Sequence, residues 1–206
     1  MQTVCLLDAL IVLPGGESRV TPLRIRGGRV LSLDQPPRRG EVRIALAGKV
    51  VFPGLINAHD HLELNHYPRT KFLPDGAYYP NAHAWGEAFL PRLEEEPFRS
   101  LRRVPLAAQC AIGARKNLHC GVTTVAHHNP LHCPLRSRHF RPRVVRRYGW
   151  AHSLHFTPPD EIRRRFRATP RSAPFILHLA EGADAAAAGE LSRLDALGAL
   201  AVNTIL

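Results

Sequence analysis

The stretch Val51-Phe52-Pro53-Gly54-Leu55-Ile56-Asn57-Ala58-His59-Asp60-His61-Leu62 decides how the rest of the chain is read. Residues 49–61 read as one buried strand that ends in polar residues. Side chains alternate across a strand, so His59 and His61 share a face while Asp60 points the other way. Two neutral imidazoles on one face, at the C-terminal rim of a parallel sheet, can chelate a divalent metal. H-x-H alone is a weak signal, and its surroundings have to decide.

On the N-terminal side, residues 1–52 look all-β. Short apolar runs at 4–13, 20–25, 29–33, 41–46 and 50–52 are separated by Pro14-Gly15-Gly16, Gly27-Gly28 and Pro36-Pro37. Turn residues at that spacing predict a small sheet. On the C-terminal side, residues 62–97 are irregular, rich in proline and aromatics, and read either as a lid or binding loop or as a satellite cluster. After Pro97 the apolar period lengthens. Leu101, Leu106, Cys110, Ala111, Ala114 and Leu118 fit a helical face that stops at Gly121. Strands are expected at 122–126, within 143–156, at 174–179 and from 200. A basic helix follows Pro158-Pro159, and a further helix is expected at 183–197. Strands alternating with helices predict a parallel α/β arrangement.

Composition narrows the class. At 206 residues, 45% hydrophobic and 22% charged, the chain is no disordered tail, collagen-like fibre or coiled coil. Four cysteines (Cys5, Cys110, Cys120, Cys133) form no C-x-x-C pair, so reduced thiols in a cytoplasmic protein are expected. No apolar run approaches the ~18 to 20 residues of a membrane span. Formal charge is +11, and 11 arginines crowd residues 136–171, opposed there only by Asp160 and Glu161. Such a stretch is either a solvated surface or a patch for acidic partners. It holds no base-reading motif, so no specific nucleic acid is expected.

Histidine placement carries more than histidine number. His127 and His128 end the strand at 122–126, and adjacent residues point oppositely, so at most one of them can meet a substrate at the rim. His119-Cys120 and His132-Cys133 match no standard zinc spacing. His61-Leu62-Glu63 supplies the H-x-E of the zinc nucleobase deaminases, but the P-C-x-x-C those enzymes require is missing.

Three ordered segments nevertheless agree with one another. Residues 51–62 resemble the first barrel strand of the amidohydrolase superfamily, the metal-dependent (β/α)8 hydrolases. Gly121-Val122-Thr123-Thr124-Val125 is similar to their second-strand segment, and His178-Leu179-Ala180-Glu181-Gly182 to the H-x-x-E of the fifth strand in the cytosine deaminase and chlorohydrolase branch. The resemblance implies an incomplete (β/α)8 TIM-type barrel of about five to six strands, residues 53–206, preceded by a small β-sandwich portion, residues 1–52. It implies His59, His61 and His178 as metal ligands and Glu181 as catalytic proton shuttle, with Gly182 permitting the turn that brings Glu181 to the site. His127 and His128 remain substrate-contact candidates.

Binuclear members bridge their metals with a lysine or carboxylate from a middle strand. Lys49, Lys71 and Lys116 lie on none, and 143–156 holds no Asp or Glu, so one divalent metal is expected, Zn(II) first and Fe(II) second. Metal-activated water would attack a ring carbon of a small heterocyclic substrate, releasing ammonia or chloride. The resemblance leaves a homo-oligomer open. The family's sixth-strand histidine and eighth-strand aspartate lie beyond Leu206, so an N-terminal half, weak or inactive alone, is expected. The alternative is a non-catalytic basic protein that binds acidic partners through residues 136–171.

Overall fold

The computed structural model describes residues 2–70 and 72–206; Lys71, one of the three lysines weighed above, lies outside the described residues. The chain divides into two compact units, Met1–Gly54 and Leu55–Leu206.

The first unit is all-β. Strands β1 (Thr3–Leu7), β4 (Leu23–Arg26), β5 (Arg29–Leu33) and β6 (Val42–Ala45) form one sheet in the order β5-β4-β1-β6, and β2 (Leu10–Val12), β3 (Ser18–Val20) and β7 (Val50–Val51) form a second in the order β3-β2-β7. The run at 4–13 is two strands because Asp8 takes a left-handed conformation, φ 63°, which ends the first pleat. Ala9, Ile11 and Leu23 make the buried core, with Leu6, Ile25 and Val51 packed against it. Arg24 is buried in this unit and ion-paired to Glu41.

The second unit alternates strands and helices. Strand β8 (Leu55–Asp60) leads through α1 (Ala82–Phe89), a 3-10 turn at Leu90–Glu94, α2 (Phe98–Leu101) and α3 (Leu106–His119) to β9 (Val122–His127) and β10 (Arg143–Val144). Then come β11 (Gly149–Ser153), α4 (Pro159–Ala168), β12 (Phe175–His178), α5 (Ala185–Ala188), α6 (Glu190–Ala196) and β13 (Thr204–Ile205). Every strand pair here is parallel, in two sheets ordered β10-β9-β8 and β11-β12-β13. Among the described residues these sheets do not close into a barrel. One core lies at each sheet: Leu62, Cys110, Val125, Leu135 and Val144 at the first, Ala151, Ile162, Phe175, Leu177 and Leu194 at the second.

Three expectations need correction. Residues 49–61 are not one buried strand, because Pro53-Gly54 breaks it and β8 leaves Leu55 50% and Ile56 71% exposed. Residues 62–97 are not wholly irregular: Asn81 caps α1 by accepting the Ala84 amide at 2.8 Å. Four of the aromatics there, Tyr67, Phe72, Trp85 and Phe89, form a satellite cluster, with Trp85 stacked on Phe89 at 4.9 Å and Phe98, just beyond, edge-on to Phe89 at 5.5 Å. Finally, the buried stripe of α3 is Cys110, Gly113, Ala114 and Asn117, while Leu106 and Leu118 face solvent. The spacing i, i+3, i+4, i+7 is helical, but it runs over small and polar residues because α3 approaches the end of β8 closely.

The basic helix α4 starts with Pro159 at its first position and has Asp160 and Glu161 in its first turn, Arg165 and Arg167 in its last, which complements the helix dipole. Glu161 holds Arg165 at 2.5 Å, and Arg165 also lies over the Trp150 ring.

Candidate metal centre

The candidate ligand side chains gather at the C-terminal ends of parallel strands, where α/β folds place ligands. His59 and His61 come from the end of β8, His178 from the last residue of β12, and His128 from the residue after β9. His59 Nε2 and His61 Nε2 lie 3.1 and 3.0 Å from His178 Nε2, and His128 Nδ1 lies 2.7 Å from His59 Nε2. These four rings form one group of potential ligand atoms.

Backbone carbonyls orient two of the rings. His178 Nδ1 donates to His152 O at 2.8 Å, and His128 Nε2 donates to Ala151 O at 2.7 Å. Each of these rings, when neutral, therefore turns a lone pair, His178 Nε2 and His128 Nδ1, toward the same point. Burial also disfavours the charged form of three of the rings. It lowers His59 to about 4 and His61 to about 3, with the neighbouring His178 a second cause in both, and it lowers His128 as well. His61 Nδ1 is buried without a hydrogen-bond partner. Imidazole lone pairs converging at 2.7 to 3.1 Å repel unless a cation lies between them. Around a tetrahedral ion with bonds of about 2.0–2.1 Å, neighbouring nitrogens stand about 3.3 Å apart. The donor set therefore fits a divalent ion with small relaxation.

Asp60 turns away from this group, as alternation requires. Its carboxylate accepts from Asn57 Nδ2 at 3.1 Å, Asn65 Nδ2 at 2.7 Å and Asn117 Nδ2 at 2.6 Å. Asn117 lies on α3, so this amide network fastens the helix to the end of β8 and fixes the backbone between the two histidines. Gly113, one turn earlier, lies against the backbone of Leu62, the residue after His61.

An open cleft of about 910 Å³ lies over the cluster, lined by His59, His61, Tyr67, Lys116, His178 and Glu181 among others. Glu181 is exposed, and among the described residues its carboxylate has no hydrogen-bond or ion-pair partner. Its backbone is held firmly, since Glu181 O accepts from Ala82 N at 2.7 Å and Pro80 O accepts from Ala183 N at 2.8 Å. The turn after β12 is made by Ala180, φ 56°, rather than by Gly182. Gly182 is needed for another reason. A Cβ there would stand 2.6 Å from Asn81 Cβ and 2.7 Å from Pro80 O.

The two adjacent histidines separate, as opposite faces require. His128 joins the His59, His61 and His178 cluster, whereas His127 faces Glu63 and His132. Both rings are fully buried and neither lines the cleft. His119 and Cys120 do line it, without joining any ligand group. Sequence reasoning missed His152, the last residue but one of β11, whose ring lies 5.0 Å from that of His178 and whose carbonyl orients that ring. A histidine near the end of the expected strand at 143–156 was the available signal.

No family model matches the chain, and no curated protein matches it. Among solved structures, a triazine hydrolase variant superposes with a TM-score of 0.70 at 13% identity, covering 99% of this chain and 60% of its own. An amidohydrolase from an environmental sample of the Sargasso Sea superposes at 0.60 and 18% identity, covering 98% and 57%. A second amidohydrolase gives 0.50 and 17%, covering 88% and 47%. The chain thus spans about three fifths or less of the structures it matches. Over the portion it spans, it has the fold of the amidohydrolases.

Proposed function

We propose that this chain carries the metal site of a metal-dependent hydrolase of the amidohydrolase superfamily, acting on a carbon–nitrogen bond of a small heterocyclic molecule in a deaminase-like reaction. The observation that carries the proposal is the convergence of His59, His61 and His178 from two strand ends, with Glu181 on the same cleft. Strands β8 to β13, parallel and in chain order within each sheet, are read as the first strands of a (β/α)8 barrel, and the first unit as its small sandwich.

A bound divalent ion, Zn(II) by first choice and Fe(II) by second, would supply Lewis-acid activation of a water. His59, His61 and His178 would hold it, with His128 alongside and the carbonyls of Ala151 and His152 keeping two rings in register. The Asp60 amide network keeps the two β8 donors from swinging apart. Glu181, anchored by its backbone and free at its carboxylate, would move a proton from the attacking water to a ring nitrogen and on to the leaving group. Loss of ammonia would make this deamination; loss of chloride would make it dechlorination. That a triazine hydrolase variant shares the fold supports a ring substrate.

Metal analysis after loading with Zn(II) and desalting tests the ligands. The His59→Ala/His61→Ala double variant should carry one equivalent less than the parent, and equal content would overturn the assignment. Ammonia and chloride release across pyrimidines, purines and triazines tests the chemistry. Any metal-dependent release should fall about 10²–10⁴-fold in Glu181→Gln, the usual worth of one acid–base group.

A further inference from the structure

The chain feeds two ligand groups from the same short segments. His61 and His128 turn to the cluster around His59, while Glu63 and His127, two residues and one residue away, turn to the other side and meet His132 from the loop after β9. We propose that Glu63, His127 and His132 form a second divalent-metal site, separate from the His59 cluster.

The first observation is burial without partners. His127 is 0% exposed and Glu63 7%, yet His127 Nε2 and Glu63 Oε2 are both buried atoms with no hydrogen bond. They face each other at 3.7 Å, and His132 Nε2 lies 3.6 Å from Glu63 Oε1. These separations are too long for hydrogen bonds. They are close to the edge of about 3.3–3.5 Å between neighbouring ligands of a tetrahedral ion with bonds of about 2.0–2.2 Å. All three residues offer ligand atoms within 4.8 Å of one another.

The second observation is charge. A buried carboxylate needs a counter-charge. Among the described residues Glu63 has no Arg or Lys in ion-pair range, only the two imidazoles. Its polar neighbour Asn129 donates Nδ2 to Glu63 Oε1, which holds the carboxylate in place as outer partners of metal ligands do. Two histidines and a carboxylate make a metal donor set that leaves one position for water. The His132 side chain, 24% exposed, gives an ion its way in. Binding at His127 Nε2 requires the proton on Nδ1, which gives up the long 3.4 Å contact from the Leu62 amide. The competing arrangement is a plain His–Glu pair, with the proton on Nε2.

Zinc content after loading and desalting, with circular dichroism to verify folding, separates the two. The parent should hold two equivalents, His132→Ala one, and His59→Ala/His61→Ala one. That last equivalent should vanish when Glu63→Gln is added. If Glu63→Gln unfolds the chain, His132→Ala, on a partly exposed loop position, decides alone. Undiminished zinc in His132→Ala overturns the second site. So does a parent with one equivalent that disappears in the His59→Ala/His61→Ala variant. An equivalent that survives the β8 double variant but not His132→Ala keeps the second site and removes the metal centre of the proposed function instead.

Discussion

Gly113→Ala should loosen the metal centre without touching a ligand. An ideal Cβ on Gly113 would stand 2.2 Å from Leu62 O and 2.9 Å from both Leu62 C and Leu62 Cα. Ordinary contact begins near 3.4 Å, so α3 and the end of β8 must part by roughly 1 Å. The obstacle is backbone, which has no rotamer to yield. Overpacking costs about 1–3 kcal/mol, and the better helix propensity of alanine returns about 1 kcal/mol at most. A net loss of about 2 kcal/mol follows from the upper end of that range. The larger effect falls on His61, the residue before Leu62, whose Nε2 is 3.0 Å from His178 Nε2. Metal bonds tolerate only about ±0.2 Å, so zinc affinity at the His59 cluster should drop at least about tenfold. Urea unfolding reads the first effect, and zinc competition against a chromogenic chelator reads the second. Arg115→Ala, exposed on the same helix, is the control. An unchanged urea midpoint together with unchanged zinc affinity would refute the close approach and its coupling to the site.

Other outcomes follow from the charges. Burial holds His59 at about 4 and His61 at about 3, below their ordinary 6.5, so the unfolded chain takes up protons first as pH falls. Metal-free protein should therefore lose stability progressively from about pH 6.5 toward pH 4, by denaturation in chelator, and a flat profile would count against these burials. In the first unit, the Arg24 guanidinium and the Arg38 amide hold Glu41 at about 2 against an ordinary 4.5. That stabilisation is present above pH 4.5 and lost toward pH 2, so Glu41→Gln should be destabilised most near neutrality and converge on the parent in acid; a constant offset would refute it. We expect any nucleic-acid binding through residues 136–171 to be non-specific and to weaken steeply with salt, measured by fluorescence anisotropy. Sequence-selective binding that persists at physiological salt would favour a basic binding module over a hydrolase.

Much of the strand order was legible because its signals are local. Arg29–Leu33 is read without error between Gly27-Gly28 and the prolines at 36–37, and β9 follows a glycine stop. Helix α1 was hidden because its start depends on an asparagine cap whose side chain is also held across the chain, by Asp184 Oδ2 at 2.6 Å. The face of α3 was misread because apolar residues were taken to mark it, whereas a close approach selects glycine, alanine and a hydrogen-bonded asparagine. At the site, the spacing of His59 and His61 and the setting of His178 pointed to one place. What no spacing could show is which carbonyl orients each ring, or that His132 returns from a loop to meet Glu63, 69 residues earlier in the chain. Those facts are properties of packing between distant segments.

The two parallel sheets of the second unit have a consequence for how that unit comes apart. Among the described residues no ladder hydrogen bonds join β10 to β11, and each sheet keeps its own core. The histidines bridge this seam: His59 and His61 belong to the first sheet, His178 to the second, and the His128–Ala151 bond crosses as well. An ion held there would link positions 119 residues apart, and its binding energy would be available only when both sheets are folded together. Occupancy of the site would then set cooperativity as well as stability. With the ion removed, hydrogen exchange in β8–β10 and β11–β13 is free to report two separate opening reactions; with it bound, the two halves melt as one.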